Sequence, residues 1–589
     1  MEKKWLLRNT TRDISSLAKI SGVSEVTAKI LVNRGFHNEI DIKKFMRASL
    51  DDLYDPFLMK DMDKGTDLIK LAIENKEKIV VYGDYDADGV TSTVIMFKAL
   101  KKCGANVKYH VPDREHEGYG INSDRIRKLH DEGFNVVLTC DNGIAAIQQV
   151  ELAKQLGMIV IITDHHELQF EENTLGTRIF KIPCADAVIN PKQKECNYPF
   201  KQLCGAGIAF KFVEALYLKF GIDKKFVNEF IEIAGIGTIC DVVDLIDENR
   251  IIAKNALAML TNTKNMGLKY LKEILSINDK EIKCYHVGFQ IGPCINATGR
   301  LESAATSVEL LLCEDENRAK DYAKILFELN QKRQEMTTKN VEEVIELIEH
   351  STFKNDKVLV IYKDTIHESI AGIVAGRVRE AFNVPTIILT KGKKDPKGSA
   401  RSINEYNLFE ELIKCEELLE KFGGHPMAAG LSIKEENIEK LRKRLNENCI
   451  LTYDDIIPKV RIDQRMSLAK INYELVNELE LLEPFGKGNP SPLLAEKNVS
   501  VLKIDILGKN ANTLKIKFLM PGLNKWIYGI CFNRVEEFIE MLKDRYSEDY
   551  LSYLQSPRGM KLDLIFSPQI NEYNGRKSIQ LKILEFKLS

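Results

Sequence analysis

Hydrophobic positions along the chain fall into distinct regimes. Three times a helical stretch leads into a short apolar run that stops abruptly in acid: KIVVYGDYDADG, NVVLTCDNG and MIVIITDHHE. The cores of these runs, Ile79–Tyr82, Val136–Thr139 and Met158–Thr163, are almost continuously apolar, the pattern of strands buried on both faces. Helical segments such as TSTVIMFKALKKCG and AIQQVELAKQLG alternate with them. That alternation predicts an α/β fold with a doubly wound parallel sheet. A later apolar run, IEIAGIGTICDVVDL, reads as a further strand-like segment and delivers Asp241.

Elsewhere the pattern changes. Residues 1–60 read as a helical region, and 61–303 hold the parallel-sheet core. Residues 304–352 contain a long Glu-, Lys- and Leu-rich stretch without Pro or Gly, predicted as a helical connector. A second α/β segment spans 353–453, with strands VLVIYK and TIILTK around the helix GIVAGRVREAF. From 454 to 589, short strand-like runs alternate with turn residues (VSVLKIDILG, TLKIKFLM, WIYGICF, KLDLIFSP, SIQLKILEF), which predicts a small β-barrel.

Composition narrows the class. Of 589 residues, 44% are apolar and 29% charged, so a packed, multidomain protein is expected. No segment reaches the roughly 18 apolar residues of a membrane span, and the N-terminus lacks a secretory core, so a cytoplasmic protein is expected. The formal charge is −2, so any polyanion site must be a local concentration of Lys and Arg. The twelve cysteines form no C-x-x-C pair, and most sit in apolar runs, so buried reduced thiols are expected.

The chemistry lies at the ends of the apolar runs. Asp84, Asp86 and Asp88 follow the first, Asp141 the second, Asp164, His165 and His166 the third, and Asp241 the later one. The carboxyl edge of a parallel sheet forms the ligand crevice. So many acids converging there would repel one another unless cations neutralised them. Carboxylates with a few imidazoles suit Mn²⁺ or Mg²⁺, and two such ions suit phosphoryl chemistry. Asp84-x-Asp86-x-Asp88-Gly89 opens like a calcium loop, but Ile95 stands where Glu is required and a strand precedes it. Each acid alone could be a helix N-cap; clusters at the end of every apolar run argue for more.

GDYDADG, DNG, DHH and GTICDVV stand in the order of the four motifs of the DHH phosphoesterase superfamily, which the sequence resembles. KGSARS with FGGHPMAAG resembles the DHH-associated substrate-binding domain. Together with NRGFHNEIDIKKFM, EGYGIN, LEPFGKGNPSP and the barrel-like end, the likeness extends to the RecJ family of single-strand-specific 5′→3′ exonucleases. The resemblance implies two Mn²⁺ or Mg²⁺ ions held by Asp86, Asp88, Asp141, His165 and Asp241. Asp84, Asp164 and His166 would orient ligands or water. It further implies single-stranded DNA as substrate, 5′-mononucleotide products, a role in DNA repair and recombination, a monomer, and a RecQ-type helicase and a single-strand-binding protein as partners.

A second set is cationic. Arg114 precedes Gly-Tyr119-Gly, Arg300 closes NATGR after Asn296, and Ser399, Arg401 and Ser402 lie in KGSARS. Arg presents a planar donor fork that fits phosphate. The resemblance implies that these residues, with Gly423, Gly424 and His425, hold the 5′-terminal nucleotide. Two positions depart from the family pattern: Cys294 replaces a basic residue before the Ile-Asn of NATGR, and Thr298 replaces a smaller residue. The C-terminal barrel resembles an OB fold, with Lys503, Lys509, Lys515, Lys517, Lys525, Arg576 and Lys577 as candidate charges. Trp526 is equally readable as core or as stacking ring. Two other functions compete with this reading: a phosphodiesterase for very short oligonucleotides or cyclic dinucleotides, and a scaffold on an inactive core. The terminal regions count against the first and the intact acids against the second.

Overall fold

In the computed structural model, which describes residues 3–114, 116–118, 120–172, 178–573 and 575–589, the chain divides into two units. One comprises Tyr54–Val243 with Asn255–Pro458, and the other Lys4–Leu53, Asp244–Lys254 and Lys459–Ser589.

The first unit opens with β1 (Lys78–Tyr82), α1 (Ala87–Lys102), β2 (Asn106–His110), β3 (Val136–Cys140), β4 (Ile159–Thr163) and β5 (Ala187–Ile189). All five strands are parallel, in the order β2-β1-β3-β4-β5. This is the doubly wound order in which the chain reverses direction between β1 and β3, where a crevice opens at the carboxyl ends. Val80, Val137, Val160 and Ile162 pack with Ile126, Leu129 and Val150 of the helices Ser123–Asp131 and Ile147–Gln155. Ile161 and Ile189 point the other way, toward the helix Met62–Glu74, where a Cβ on Gly65 would come within 2.8 Å of Ile189.

Beyond the sheet come α2 (Gly205–Phe220) and α3 (Ile231–Cys240). The segment α3 corrects the strand-like reading of IEIAGIGTIC. It is a helix, buried from Ile231 to Thr238, and Asp241 stands at its C-cap rather than at a strand end. An apolar run of ten residues fits a fully buried helix as well as a strand, and its small residues Ala234, Gly235 and Gly237 permit close packing against α1 and α2.

The unit continues with α4 (Gly292–Leu301), α5 (Ala305–Leu312) and α6 (Glu316–Glu349). The expected single connector is thus two helices, because Asp315 caps a new start by accepting from Arg318 N at 2.9 Å. A mixed sheet follows: β6 (Leu359–Tyr362), α7 (Glu368–Phe382), β7 (Thr386–Thr390), β8 (Lys397–Arg401), β9 (Leu419–His425) and β10 (Ala428–Ile433). Its order is β9-β10-β8-β7-β6, and only β6 and β7 run parallel. The FGGHPMAAG segment is therefore a hairpin at the sheet edge.

The second unit contains a closed barrel of β11 (Leu494–Leu507), β12 (Thr513–Leu519), β13 (Trp526–Phe532), β14 (Lys561–Tyr573) and β15 (Arg576–Leu588). The order β11-β12-β13-β15-β14 closes through β11–β14, with β13 and β15 parallel, as in an OB fold. The N-terminal helices belong here: Leu17, Ile30, Leu31, Ile42 and Phe45 share one core with Leu494, Leu514, Phe538 and Phe566. Lys4–Leu7 pairs in parallel with Lys459–Ile462. The buried Arg250 fastens the unit by donating to the carbonyls of Phe45 (2.9 Å), Leu482 (2.9 Å) and Leu481 (3.1 Å).

Candidate metal centre and neighbouring cations

The loop after β1 turns directly into α1, and Asp86 is that helix's N-cap. Its Oδ1 accepts from the amides of Asp88 and Gly89 at 3.0 Å each. The capping role open to it in the sequence is therefore real for Asp86, and its carboxylate is still exposed to the crevice. Asp88, one turn in and buried, accepts from Gly205 N (2.6 Å) and Ala206 N (2.8 Å) at the start of α2. Residue 205 must be glycine here, since a Cβ would lie 2.5 Å from Asp141 Cβ. Asp141 itself takes a left-handed backbone (φ 62°) just after β3.

Asp164 organises the third motif. Its Oδ1 accepts from the amides of His165 (2.7 Å) and His166 (3.1 Å) and lies 2.7 Å from His166 Nδ1, while Oδ2 accepts from Ile144 N at 2.8 Å. Burial alone would raise its pKa, but His166 and these amides hold it down to about 2. The same pair works in reverse on the imidazole: burial would lower it, yet the bond to Asp164 pushes His166 up to about 9.

His165 stands among the acids, with Nε2 3.0 Å from Asp141 Oδ1 and 3.7 Å from Asp88 Oδ2, and Nδ1 3.8 Å from Asp241 Oδ2. Burial pushes its pKa down to about 4, so the ring is neutral and offers a lone pair. Burial, then neighbouring carboxylates, push Asp84 and Asp241 up to about 8, and Asp88 and Asp141 are raised as well.

Uncompensated acids of this kind are what a divalent cation relieves, and the donor set fits one. Three overlapping groups have ligand atoms within 4.8 Å of one another: Asp84–Asp86–Asp141, Asp88–His165–Asp241 and Asp141–His165–His166. Asp141 and His165 each occur in two groups. The Oδ1 of Asp141 is buried without a hydrogen-bond donor, since His165 approaches outside bonding geometry. A buried carboxylate oxygen left in this state costs free energy unless a cation completes it.

The cationic residues gather in the same unit. Arg300 donates to the carbonyl of Ser369 on α7 at 2.6 Å, and burial, then Arg114 and Arg333, push it down to about 10. Arg401 on β8 donates to Ala400 O at 2.8 Å and is lowered by burial and Arg379. Its Nη2 and Ser399 Oγ border α7, 2.9 Å and 3.5 Å from where a Cβ on Gly372 would stand. Among the described residues, no carboxylate lies in ion-pair range of Arg300, Arg333, Arg377 or Arg401. Arg114 stands over the Tyr85 ring at 5.3 Å. Gly423, Gly424 and His425 are exposed along β9.

Other expected contacts are turned inward. Asn296 Oδ1 accepts from Ala87 N at 2.8 Å and so braces the start of α1. Ser402 is buried and donates its hydroxyl to Tyr406 O at 2.7 Å. Tyr119 lies outside the described residues. Cys294 is fully buried beside Asn330 and Arg333 of α6, and Thr298 Oγ1 donates to Ile295 O at 2.8 Å. In the barrel, Trp526 is 56% exposed with Lys517 Nζ 3.9 Å from its ring, which decides against a core role. Sequence reasoning missed Arg333 and Arg377, which sit on helices without a local signature; only the charge clustering of the folded unit reveals them.

With this geometry in view, residues 78–238 match the DHH family, N-terminal domain, 355–450 the DHHA1 domain, and 462–585 the RecJ OB domain. The single-stranded-DNA-specific exonuclease RecJ of Bacillus subtilis is 37% identical over 100% of this chain and 71% of its own length. That of Escherichia coli is 30% identical over 94% of both chains. The chain belongs to the RecJ family. It is a metal-dependent, single-stranded-DNA-specific exonuclease. The crystal structure of RecJ in complex with Mn²⁺ from Thermus thermophilus superposes with a TM-score of 0.80 at 25% identity, covering 99% of this chain and 79% of that one. A manganese-bound exonuclease RecJ gives 0.57 at 31% identity, covering 68% of this chain and 96% of that one. Among the described residues, no helix is long and apolar enough to cross a membrane.

Proposed function

We propose that the chain removes 5′-mononucleotides processively from the 5′ end of single-stranded DNA. Asp86, Asp88, Asp141, His165 and Asp241 would hold two divalent ions, with Asp84, Asp164 and His166 orienting them. When bound, the ions would supply a water nucleophile at neutral pH and stabilise the attacking and departing oxygens. Asp141, whose Oδ1 has no donor, contributes the central carboxylate, and neutral His165 a nitrogen lone pair. Asp164 fixes the orientation of the His166 ring, its Oδ1 lying 2.7 Å from Nδ1. Arg114, Arg300, Ser399 and Arg401 would take the terminal phosphate, with Gly423, Gly424 and His425 shaping that end and Asn296 bracing the start of α1.

The domains would divide this work as 61–303 for catalysis, 353–453 for the strand end and 454–589 for the incoming strand, with 1–60 and 304–352 as supports. The observation that supports end recognition is the set of guanidiniums that, among the described residues, have no carboxylate partner. A cytoplasmic monomer acting with a RecQ-type helicase and a single-strand-binding protein in repair and recombination completes the reading. Strands blocked at either end by a bulky group test the polarity: 3′-blocked DNA should be digested and 5′-blocked DNA spared. The opposite result overturns the proposal.

A further inference from the structure

Residues 284–301 form one unbroken helical run, π-type from Val287 to Ile291 and α-helical on either side. Its C-terminal end carries Arg300 and packs on the Asp84–Asp86 loop, where a Cβ on Gly299 would collide with Tyr85 O. Its middle packs on α3, where a Cβ on Gly292 would collide with Cys240 Sγ. That half-buried thiol neighbours Asp86, Asp88 and Asp241. The run therefore lies alongside the acid cluster, with the end-binding cation at one extremity.

The other extremity is unusual. Tyr285 and Phe289 are 61% and 69% exposed, and their rings stack on each other at 5.2 Å with an interplanar angle of 26°. Two large aromatics presented to solvent side by side form a surface for something to cover. Lys280 and Lys283, both exposed, lie near the neighbouring His286 and lower its pKa after burial, with the exposed acids Asp279 and Glu281 in the same stretch. Lys283 Nζ stands 3.9 Å from Glu281. His286 Nδ1 accepts from Lys283 N at 2.9 Å, which fixes the turn. Aromatic faces among lysines are the composition of a single-strand platform: bases stack on the rings and the cations follow the phosphates. A π-type turn in a helix is also a frequent mark of a functional segment.

We propose that Tyr285 and Phe289 form a base-stacking subsite for the strand on the 3′ side of the scissile phosphate. At about 1.5 Å per residue of helix, Tyr285 stands about 22 Å and Phe289 about 16 Å from Arg300, with the acids alongside the stretch between them. A strand whose 5′ end is held at Arg300 and Arg401 thus crosses the acids before it meets the rings. The direction of the strand rests on the 5′-end reading above; the stacking itself does not.

The experiment uses the full-length protein in EDTA with oligonucleotides carrying 2-aminopurine at successive positions. Wild type should quench the probe at positions a few nucleotides in from the 5′ end. Tyr285→Leu/Phe289→Leu, which keeps apolar bulk but removes the rings, should abolish that quenching, and Tyr285→Trp should retain it. With Mn²⁺ present, the double variant should raise KM more than it lowers kcat. Its defect should grow with length, to roughly 5- to 100-fold in kcat/KM on a strand of about twenty nucleotides, and shrink for a trinucleotide. Unchanged quenching in the double variant, or an equal defect at all lengths, would overturn the subsite and leave the patch to a protein partner. Quenching that maps near the 3′ end, together with reversed polarity on blocked strands, would instead overturn the 5′ reading while keeping the platform.

Discussion

The acid cluster and the arginines beside it are built on opposite plans within one unit. Asp84, Asp88, Asp141 and Asp164 are buried, several of the acids are tied to backbone amides, and they repel one another. The arginines are half-buried or exposed; Arg300 and Arg401 donate to backbone carbonyls and Arg333 to the Asn330 side chain, and among the described residues Arg300, Arg333, Arg377 and Arg401 lack carboxylate partners. The first arrangement gathers charge that only a cation of fixed position can settle; the second leaves charge available to an anion that comes and goes. Under the proposed roles, chemistry and end recognition are separable, and each half can be broken alone.

The largest effect should follow loss of the shared acid. Asp141→Ala removes a carboxylate common to two ligand groups and should lower kcat by several orders of magnitude, read by single-turnover hydrolysis. A variant retaining more than about a tenth of the wild-type rate would break the assignment. Arg401→Ala should cost less, about 10- to 150-fold in kcat/KM from one lost charge-assisted phosphate contact, with Mn²⁺ binding unchanged. An equal loss of metal affinity would erase the distinction between the halves.

How legible each half was follows from the same contrast. Acids at strand ends are local events, so Asp84 to Asp88, Asp141 and the Asp164-His165-His166 run could be read from short motifs. Asp241 was found, but not its setting, because a buried helix and a buried strand leave the same apolar run. Arg333 and Arg377 escaped notice because nothing adjacent in sequence announces them. The helices before residue 50 share a core with a barrel more than 400 residues away, and the pairing of Lys4–Leu7 with Lys459–Ile462 is invisible to local pattern.

A smaller effect concerns pH. In metal-free protein the Asp84 and Asp241 carboxyls stand near 8, against about 4 in an unfolded chain. The folded form therefore holds more protons across that window, and these groups make stability fall as pH rises from about 4 to 8. His166, raised to about 9, acts in the same direction above its ordinary value. In EDTA, Tm should drop between pH 5.5 and 8 by more in wild type than in Asp84→Asn/Asp241→Asn, and Mn²⁺ should restore more at pH 8. Identical pH slopes for the two proteins would remove the strain attributed to the cluster. The smallest effect belongs to the barrel: Trp526→Ala should weaken single-strand affinity by roughly 5-fold while leaving trinucleotide cleavage intact. Equal affinity by anisotropy would return that ring to a passive role.

The central claim is that the acids form a two-ion centre, and Mn²⁺ binding to the full-length protein by equilibrium dialysis at pH 8 tests it most directly. Two ions per chain are expected for wild type, and fewer, more weakly held, for Asp141→Ala. One ion per chain in a fully active wild type, or unchanged binding in Asp141→Ala, would contradict it.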